Sequence, residues 1–352
     1  MVELEEERQE PRPVSLHLLR IVPMIIIIGL LVHFLLPRLD SVADSLQTMR
    51  TMAPWAVALA IVMEALSYLA NGSLLKSVVA LGGERIPLAR ATVIELSAGT
   101  VALVAAGALG FGAAIYQWTR KSGVSRETAM LATWLAPIFD SITLVLFGLL
   151  SAFELLLAHQ LSRTTETALV VVLSILLAVI GLMITLLVHE EWMRAIATRL
   201  TRLMKLIRPS ADDYLLTDAA DRATRAWRAM DDGRWIRPAV SSLMVLTFDL
   251  LCLRYAFLAL HQHLYFSTLL AGYGVPLLLG RASFLPGGIA VVEVAMAALY
   301  SSLGIPPSTA VVAVLTYRLI SFWLPALAGI PLAIGLQSQR AQAYETPTPL
   351  QQ

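Results

Sequence analysis

The sequence predicts an all-α polytopic membrane protein, with about six full spans and two re-entrant helical hairpins arranged as inverted repeats. Hydrophobic residues make up 57% of the 352 positions and charged residues only 14%, whereas soluble domains carry about 25% charged residues. Apolar runs close to the length of a transmembrane helix recur along the chain, which is typical of helical rather than barrel proteins. Two further runs are too long for a single span, and glycine interrupts both of them.

Eight apolar segments follow one another along the chain. They lie near residues 19–36, 53–80, 88–118, 128–156, 167–189, 238–262, 264–303 and 308–336. A helix needs about 20 apolar residues to cross a bilayer, so six of the segments are predicted to be full spans. Segments 88–118 and 264–303 contain the breaks "VAAGALGFGAA" and "FLPGGIAVV". Each of these two is therefore predicted to form two half-helices that meet at a break.

The spacing of glycines predicts an internal repeat. An ungapped offset of 181 residues aligns three pairs of glycines: Gly107 with Gly288, Gly123 with Gly304, and Gly148 with Gly329. We therefore predict a transmembrane domain over residues 19–337, with repeat 1 near 53–156, repeat 2 near 234–337 and a basic linker, 190–237, between them.

Basic residues predict the orientation of the chain. The linker 190–237 carries ten Lys or Arg, and the positive-inside rule places it in the cytoplasm. Counting spans from the linker makes segment 88–118 re-entrant from the cytoplasmic side and segment 264–303 re-entrant from the other side. The same count places both termini in the cytoplasm, with an N-terminal tail at 1–18 and a disordered tail at 338–352. Inverted repeats that each contain a broken helix are typical of secondary transporters.

The stretch "SFLPGGIAVVEVAM" (283–296) raises the main functional question, because it breaks the backbone and then places an acid in apolar sequence. Pro286, Gly287 and Gly288 disfavour a helix, and irregular backbone at membrane depth needs surrounding protein or water. The half-helix after Gly288 would present free N–H groups that suit an anion such as phosphate. A plain turn between two short spans is the alternative.

Charged side chains at membrane depth are the other candidate site residues. Arg318 lies deep in its span, where a charge is costly, and it could contact a lipid headgroup or form a structural ion pair. Glu293 could neutralise Arg318 or bind a cationic headgroup. Asp140 and Arg281 are further candidates for headgroup contact. The remaining charges are interpreted as structural, with local hydrogen bonds for Glu64 and Glu95 and ion pairing for Asp249 and Arg254.

"PGGIAVVE" followed by "LGIPPSTAVVAVLTYRLISFWLPALAG" resembles the C-terminal half of the lysylphosphatidylglycerol synthase transmembrane-region family, a flippase-like domain. The matching residues are Pro286-Gly287-Gly288, Glu293, Gly304, Tyr317-Arg318 and Trp323-Leu324-Pro325. The first half departs from the family pattern, since Ala136-Pro137 replace a Glu-Arg pair ahead of Asp140. A proline-glycine turn is also missing from the first break.

The resemblance implies that the protein moves a polar-headed lipid between leaflets of the cell membrane, which would be the inner membrane in bacteria. It implies headgroup contact by the matching residues, Tyr317 among them. The implied partners are membrane lipids, either anionic or aminoacylated phospholipids or other polar-headed lipids, together with a possible separate lipid-modifying enzyme and a possible homo-oligomer. The soluble aminoacyl-transfer domain of fused family members is not expected in this chain.

Other classes of chemistry find little support in the sequence. Walker A, HExxH and GxGxxG motifs are absent, and His261 and His263 lack neighbouring acids or cysteines that would complete a metal site. We therefore expect no catalytic residues, no metal, no cofactor and no nucleic-acid partner. An intramembrane transferase for a lipid-linked substrate is the main alternative function, and a solute or ion transporter is another.

Overall fold

A computed structural model describes residues 51–157 and 233–338, apart from 105–106 and 284, together with Thr167 and Ser174. The described part consists of helices and connecting turns, without a strand, as the predicted class requires. The predicted span near 19–36, most of the span near 167–189, most of the linker 190–237 and the two tails lie outside the described residues.

The first half of the described chain contains two long helices on either side of two shorter ones. They are α1 (Pro54–Leu81), α2 (Leu88–Val104), α3 (Ala108–Lys121) and α4 (Arg126–Leu157). A proline begins α1, where its fixed φ suits the first helical position and its missing N–H is not needed. Helices α2 and α3 are separate, and Gly107 at the start of α3 has a φ of 57°. The predicted segment 88–118 is therefore two helices with a break between them.

The second half repeats this order with a more divided second element. Its elements are α5 (Ile236–Ala259), α6 (Phe266–Ala271), α7 (Gly274–Ala282), a 3₁₀ turn (Pro286–Gly288), α8 (Val291–Ser302), α9 (Pro307–Arg318), a π-helical turn (Leu319–Trp323) and α10 (Leu324–Ser338). The incoming limb of segment 264–303 is thus two short helices instead of one. Pro276 explains this difference, because it has no N–H to donate to the carbonyl of Gly272 four residues earlier.

Element bounds in the two halves agree with the offset of 181 residues. The offset places Arg126, the first residue of α4, on Pro307, the first residue of the continuous helical stretch that contains α9 and α10. It also aligns glycines with positive φ, at 57° and 64° for Gly107 and Gly288 and at 85° and 91° for Gly123 and Gly304. An internal repeat requires this agreement. The opposite orientation of the two halves in a membrane stays a prediction.

Four helices in the described part are long and apolar enough to cross a bilayer: Pro54–Leu81, Arg126–Leu156, Ile236–Ala259 and Pro307–Ser338. The chain is therefore a multi-pass membrane protein. The other two predicted full spans fall outside the described residues, so the number of spans stays a prediction.

Small residues allow the helices to approach each other closely. A Cβ added at Gly329 of α10 would lie 2.0 Å from the Thr100 hydroxyl of α2, and one at Gly148 of α4 would lie 2.1 Å from the Leu278 side chain of α7. Close contact through small residues is the usual means of joining helices in a membrane. These contacts hold the half-helices of each predicted hairpin against the long helices of the other half.

Candidate functional site

A break in the helix lies between α7 and α8. The turn Pro286–Gly288 is a single 3₁₀ turn, and both of its glycines have a φ of 64°. Helix α8 has no side-chain cap, and its first backbone hydrogen bond runs from Val294 to the carbonyl of Ala290 at 3.0 Å. The N–H groups of its first turn therefore have no partner within the helix, and they carry the positive end of the helix dipole.

The two glycines of the break are packed tightly against other helices. A Cβ on Gly287 would lie 2.1 Å from the ring of Phe322, and a Cβ on Gly288 would lie 2.7 Å from the Cα of Gly280. Positive φ and these close contacts together require glycine at both positions. The backbone of α7, instead of open space for a ligand, occupies the side of Gly288 where a Cβ would point.

Arg318, the last residue of α9, contacts the turn between α7 and α8 and the start of α8. Its Nε donates to Oε1 of Glu293 at 2.7 Å, and its Nη2 donates to the carbonyl of Gly287 at 2.8 Å. The guanidinium also stacks on Phe322, with Cζ 4.4 Å from the ring centroid. Arg318 is only 6% exposed. In this structure Arg318 and Glu293 therefore form the structural ion pair that the sequence left as one of two interpretations.

Arg281 and Asp140 form a second ion pair beside the break. Nη2 of Arg281 donates to Oδ2 of Asp140, and this contact joins the end of α7 to the middle of α4. The Arg281 side chain is 49% exposed, whereas that of Arg318 is 7% exposed. Of the two arginines beside the break, Arg281 is thus the one that a ligand can reach.

The hydroxyl of Tyr317 contacts the carboxylate of Asp249, which belongs to neither of these two ion pairs. The Tyr317 hydroxyl donates to Oδ2 of Asp249 at 2.7 Å, and the hydroxyl of Tyr273 donates to the same oxygen at 2.5 Å. Asp249 was expected to form an ion pair, as was Arg254. Arg254 is exposed on α5, and the groups that hydrogen-bond to Asp249 include these two phenols.

Glu64 of α1 lies beside Asp249 of α5. The two carboxyl groups are within range of a hydrogen bond that needs a proton on one of them. Glu64 is 6% exposed, and its Oε2 has no hydrogen-bond partner. Glu64 is also within hydrogen-bond range of the Cys252 thiol of α5, so it has the hydrogen-bonding role expected for it, with partners on α5.

These charged groups lie near the middle of the long helices. At a rise of about 1.5 Å per residue, Glu64, Asp140, Asp249 and Arg318 are about 15 to 21 Å from the starts of their helices. The hydrocarbon core of a bilayer is about 30 Å thick. The candidate site is thus a set of charges gathered at mid-depth around a broken helix.

Three residues near these charges were not predicted from the sequence as site residues: Glu64, Asp249 and Tyr273. An ionisable residue in the middle of a span is a functional candidate by default, and that signal was present for both acids. Groups of three or more His, Cys, Asp or Glu that could hold a metal ion do not occur in the described residues. The contacts observed among the site residues are ion pairs and hydrogen bonds.

Fold and site together define a multi-pass helical membrane domain with a charged, broken helix inside it. The sequence profile of the family described as "Lysylphosphatidylglycerol synthase TM region" matches residues 21–329, and the chain belongs to that family. It is also similar to a UPF0104 membrane protein of Pyrococcus horikoshii, with 28% identity over 206 residues. That alignment covers 54% of this chain and 59% of the relative, so the chain spans less than two thirds of the relative's length.

Proposed function

We propose that this protein moves a polar-headed phospholipid between the two leaflets of a cell membrane. The observation that supports this most directly is the half-exposed Arg281 beside a broken helix at mid-depth. Asp140 accepts from one nitrogen of its guanidinium, and the exposed remainder is accessible to a second anion; an ionisable side chain at this depth is a functional candidate by default. The chain belongs to a family that is described as the membrane region of a lipid synthase, and this supports a lipid-related role.

The headgroup phosphate is the part of the lipid that the site would hold. Arginine binds phosphate through two parallel hydrogen bonds and keeps its charge, and Arg281 already orients its fork towards Asp140. Gly280, the residue before Arg281, packs against Gly288, so the backbone of Arg281 lies next to the break. The free N–H groups at the start of α8 would add further donors for a phosphate. In this proposal Arg318 and Glu293 hold the break in shape.

The class of headgroup follows from the charges. Arg281 and the start of α8 suit any phospholipid phosphate. Glu293 has one buried carboxylate oxygen, Oε2, without a partner, and in this proposal opening of the break exposes that oxygen to the amine of an aminoacylated headgroup. Both anionic and aminoacylated phospholipids are therefore candidate substrates.

The test is transfer of fluorescently labelled phosphatidylglycerol between leaflets of liposomes that contain the purified full chain. We expect Arg281→Gln to slow transfer about tenfold, which is the effect of losing about 1.4 kcal/mol of binding to the phosphate in transit. Arg254→Gln is the matched control, because Arg254 is an exposed arginine of α5 far along the chain from the break. It should leave the rate unchanged.

Two results would oppose the proposal. Transfer by folded Arg281→Gln at the unmodified rate would remove Arg281 from the lipid path. Failure of the unmodified protein to move phosphatidylglycerol, its lysyl derivative or a neutral phospholipid would favour the intramembrane transferase instead.

A further inference from the structure

We propose that the Glu64–Asp249 carboxyl pair binds a proton, and that release and uptake of this proton couple lipid movement to a pH gradient. The coupling rests on the proposed function, whereas the proton site does not. Lipid binding as proposed above makes no use of the pair.

The first step of the argument is the geometry of the pair. Asp249 accepts two hydrogen bonds at one oxygen, from the hydroxyls of Tyr273 and Tyr317. Glu64 lies beside Asp249 and contacts the weakly donating thiol of Cys252, and its buried Oε2 has no partner. Buried polar groups normally have partners, so the unpartnered oxygen marks a position where something is missing. A proton shared between the two carboxyl groups supplies the missing hydrogen bond.

The second step is the balance of charge. The titratable and charged groups that interact with the pair are Tyr68 of α1, Cys252 of α5, Tyr273 ahead of α7, Arg281 of α7, and Tyr317 and Arg318 of α9. Within this set Arg281 and Arg318 are the cations, and each already has its own carboxylate partner, Asp140 for Arg281 and Glu293 for Arg318. Glu95 of α2 adds another acid near Tyr68. Two ionised carboxylates would therefore lie side by side without a counter-charge, an arrangement that buried like charges avoid.

The third step assigns the proton within the pair. Phenol donors stabilise an ionised acceptor, and both phenols point to Asp249. Asp249 is thus the carboxylate, and Glu64 is the protonated group that donates to it. Protonation and deprotonation of Glu64 transfer only a proton, and no bond between heavy atoms changes.

The fourth step links the pair to the break. Tyr317, which donates to Asp249, is the neighbour of Arg318, which holds Glu293 and the carbonyl of Gly287. Loss of the proton would leave an extra negative charge that attracts Arg318 away from the break. In addition, α1 and α5 are corresponding helices of the two halves, and rocking of one repeat against the other would open the interface that contains the pair.

The proton site is tested first, by infrared difference spectroscopy of the full chain in detergent as the pH is changed. We expect the unmodified protein to show a protonated carboxyl band that Glu64→Gln removes. Glu127→Gln is the control, because Glu127 is an exposed acid in the first turn of α4, and it should keep the band. A band that persists unchanged in both Glu64→Gln and Asp249→Asn would overturn the proton site, and this result does not depend on lipid transfer.

Coupling is tested in liposomes with labelled phosphatidylglycerol and an imposed pH gradient. One proton per lipid would support about a tenfold leaflet asymmetry for each pH unit. We expect Glu64→Gln to equilibrate the lipid without responding to the gradient, while Glu127→Gln responds as the unmodified protein does. Transfer by the unmodified protein that ignores the pH gradient, or that follows a sodium gradient instead, would overturn the coupling and leave lipid movement standing. Absence of any transfer would overturn both the proposed function and the coupling.

Discussion

Arg318 illustrates how a single side chain stabilises an irregular stretch of backbone. Its guanidinium meets three groups at once: the Glu293 carboxylate, the Gly287 carbonyl and the Phe322 ring. A buried ion pair offsets its desolvation only when further hydrogen bonds satisfy the charged groups, and the Gly287 carbonyl provides such a bond. The π-helical turn begins directly after Arg318, and such turns often occur at functional sites.

Substitutions of Arg318 should separate charge from shape. Arg318→Ala leaves Glu293 as an unpaired buried acid and should cost about 3–5 kcal/mol of stability. Arg318→Lys keeps the charge but lacks the planar fork that reaches both Glu293 and Gly287, so it should be intermediate. Arg318→Met combined with Glu293→Gln removes both charges and should be milder than Arg318→Ala. Thermal unfolding in detergent measures this order, and equal stability of the single and double variants would show that the pair is not energetically coupled.

Sequence reasoning found some of these residues and missed others for a clear physical reason. Hydropathy shows how deep a residue lies in its span, and depth alone made Arg318 and Glu293 candidates. Pairing depends on the rotation of each helix about its axis, which packing sets. The contact between Arg281 and Asp140, 141 positions apart, and that between Glu64 and Asp249 could therefore not be predicted.

At the scale of elements, the glycines of the break differ from Gly304 and Gly335 in how closely neighbouring helices approach them. Gly288 has both a positive φ and a neighbouring helix within contact distance, Gly304 has a positive φ with open space around it, and Gly335 has open space and ordinary helical φ. The sequence predicted the break from Pro286-Gly287-Gly288. The division of the incoming limb into α6 and α7 was not predicted, although Pro276 is a sequence signal for an interrupted helix.

Alanine at these three glycines should produce a graded series of stabilities. Gly288→Ala should be the most damaging, since its Cβ would force α7 to move away. Gly304→Ala should cost about 1–2 kcal/mol from left-handed backbone alone, and Gly335→Ala should be neutral or stabilising by up to about 1 kcal/mol in a helix. Thermal unfolding of the three variants gives the order. If Gly288→Ala were no worse than Gly304→Ala, the tight contact with Gly280 would be wrong.

At the scale of the whole molecule, the two halves share element order, break and turn glycines at one constant offset. Helices α1 and α5 correspond under this offset, and they pack against each other with Glu64 and Asp249 facing across their interface. The class of the fold was predictable because composition and apolar run lengths determine it. The orientation of the halves rests on the positive-inside rule applied to the linker 190–237, and it calls for a direct test.

Single cysteines at the corresponding turns should report that orientation. Gly123 lies between α3 and α4 and Gly304 between α8 and α9, and a Cβ at either position would meet nothing within 4 Å. The native Cys252 is the chain's single cysteine and is buried, so Cys252→Ala provides a background without competing thiols. In that background we expect Gly123→Cys to react with a membrane-impermeant maleimide from the cytoplasmic side and Gly304→Cys from the opposite side, because an odd number of crossings separates inverted repeats. Labelling after permeabilisation controls for folding and for thiol accessibility, and reaction of both cysteines from the same side would exclude the inverted arrangement.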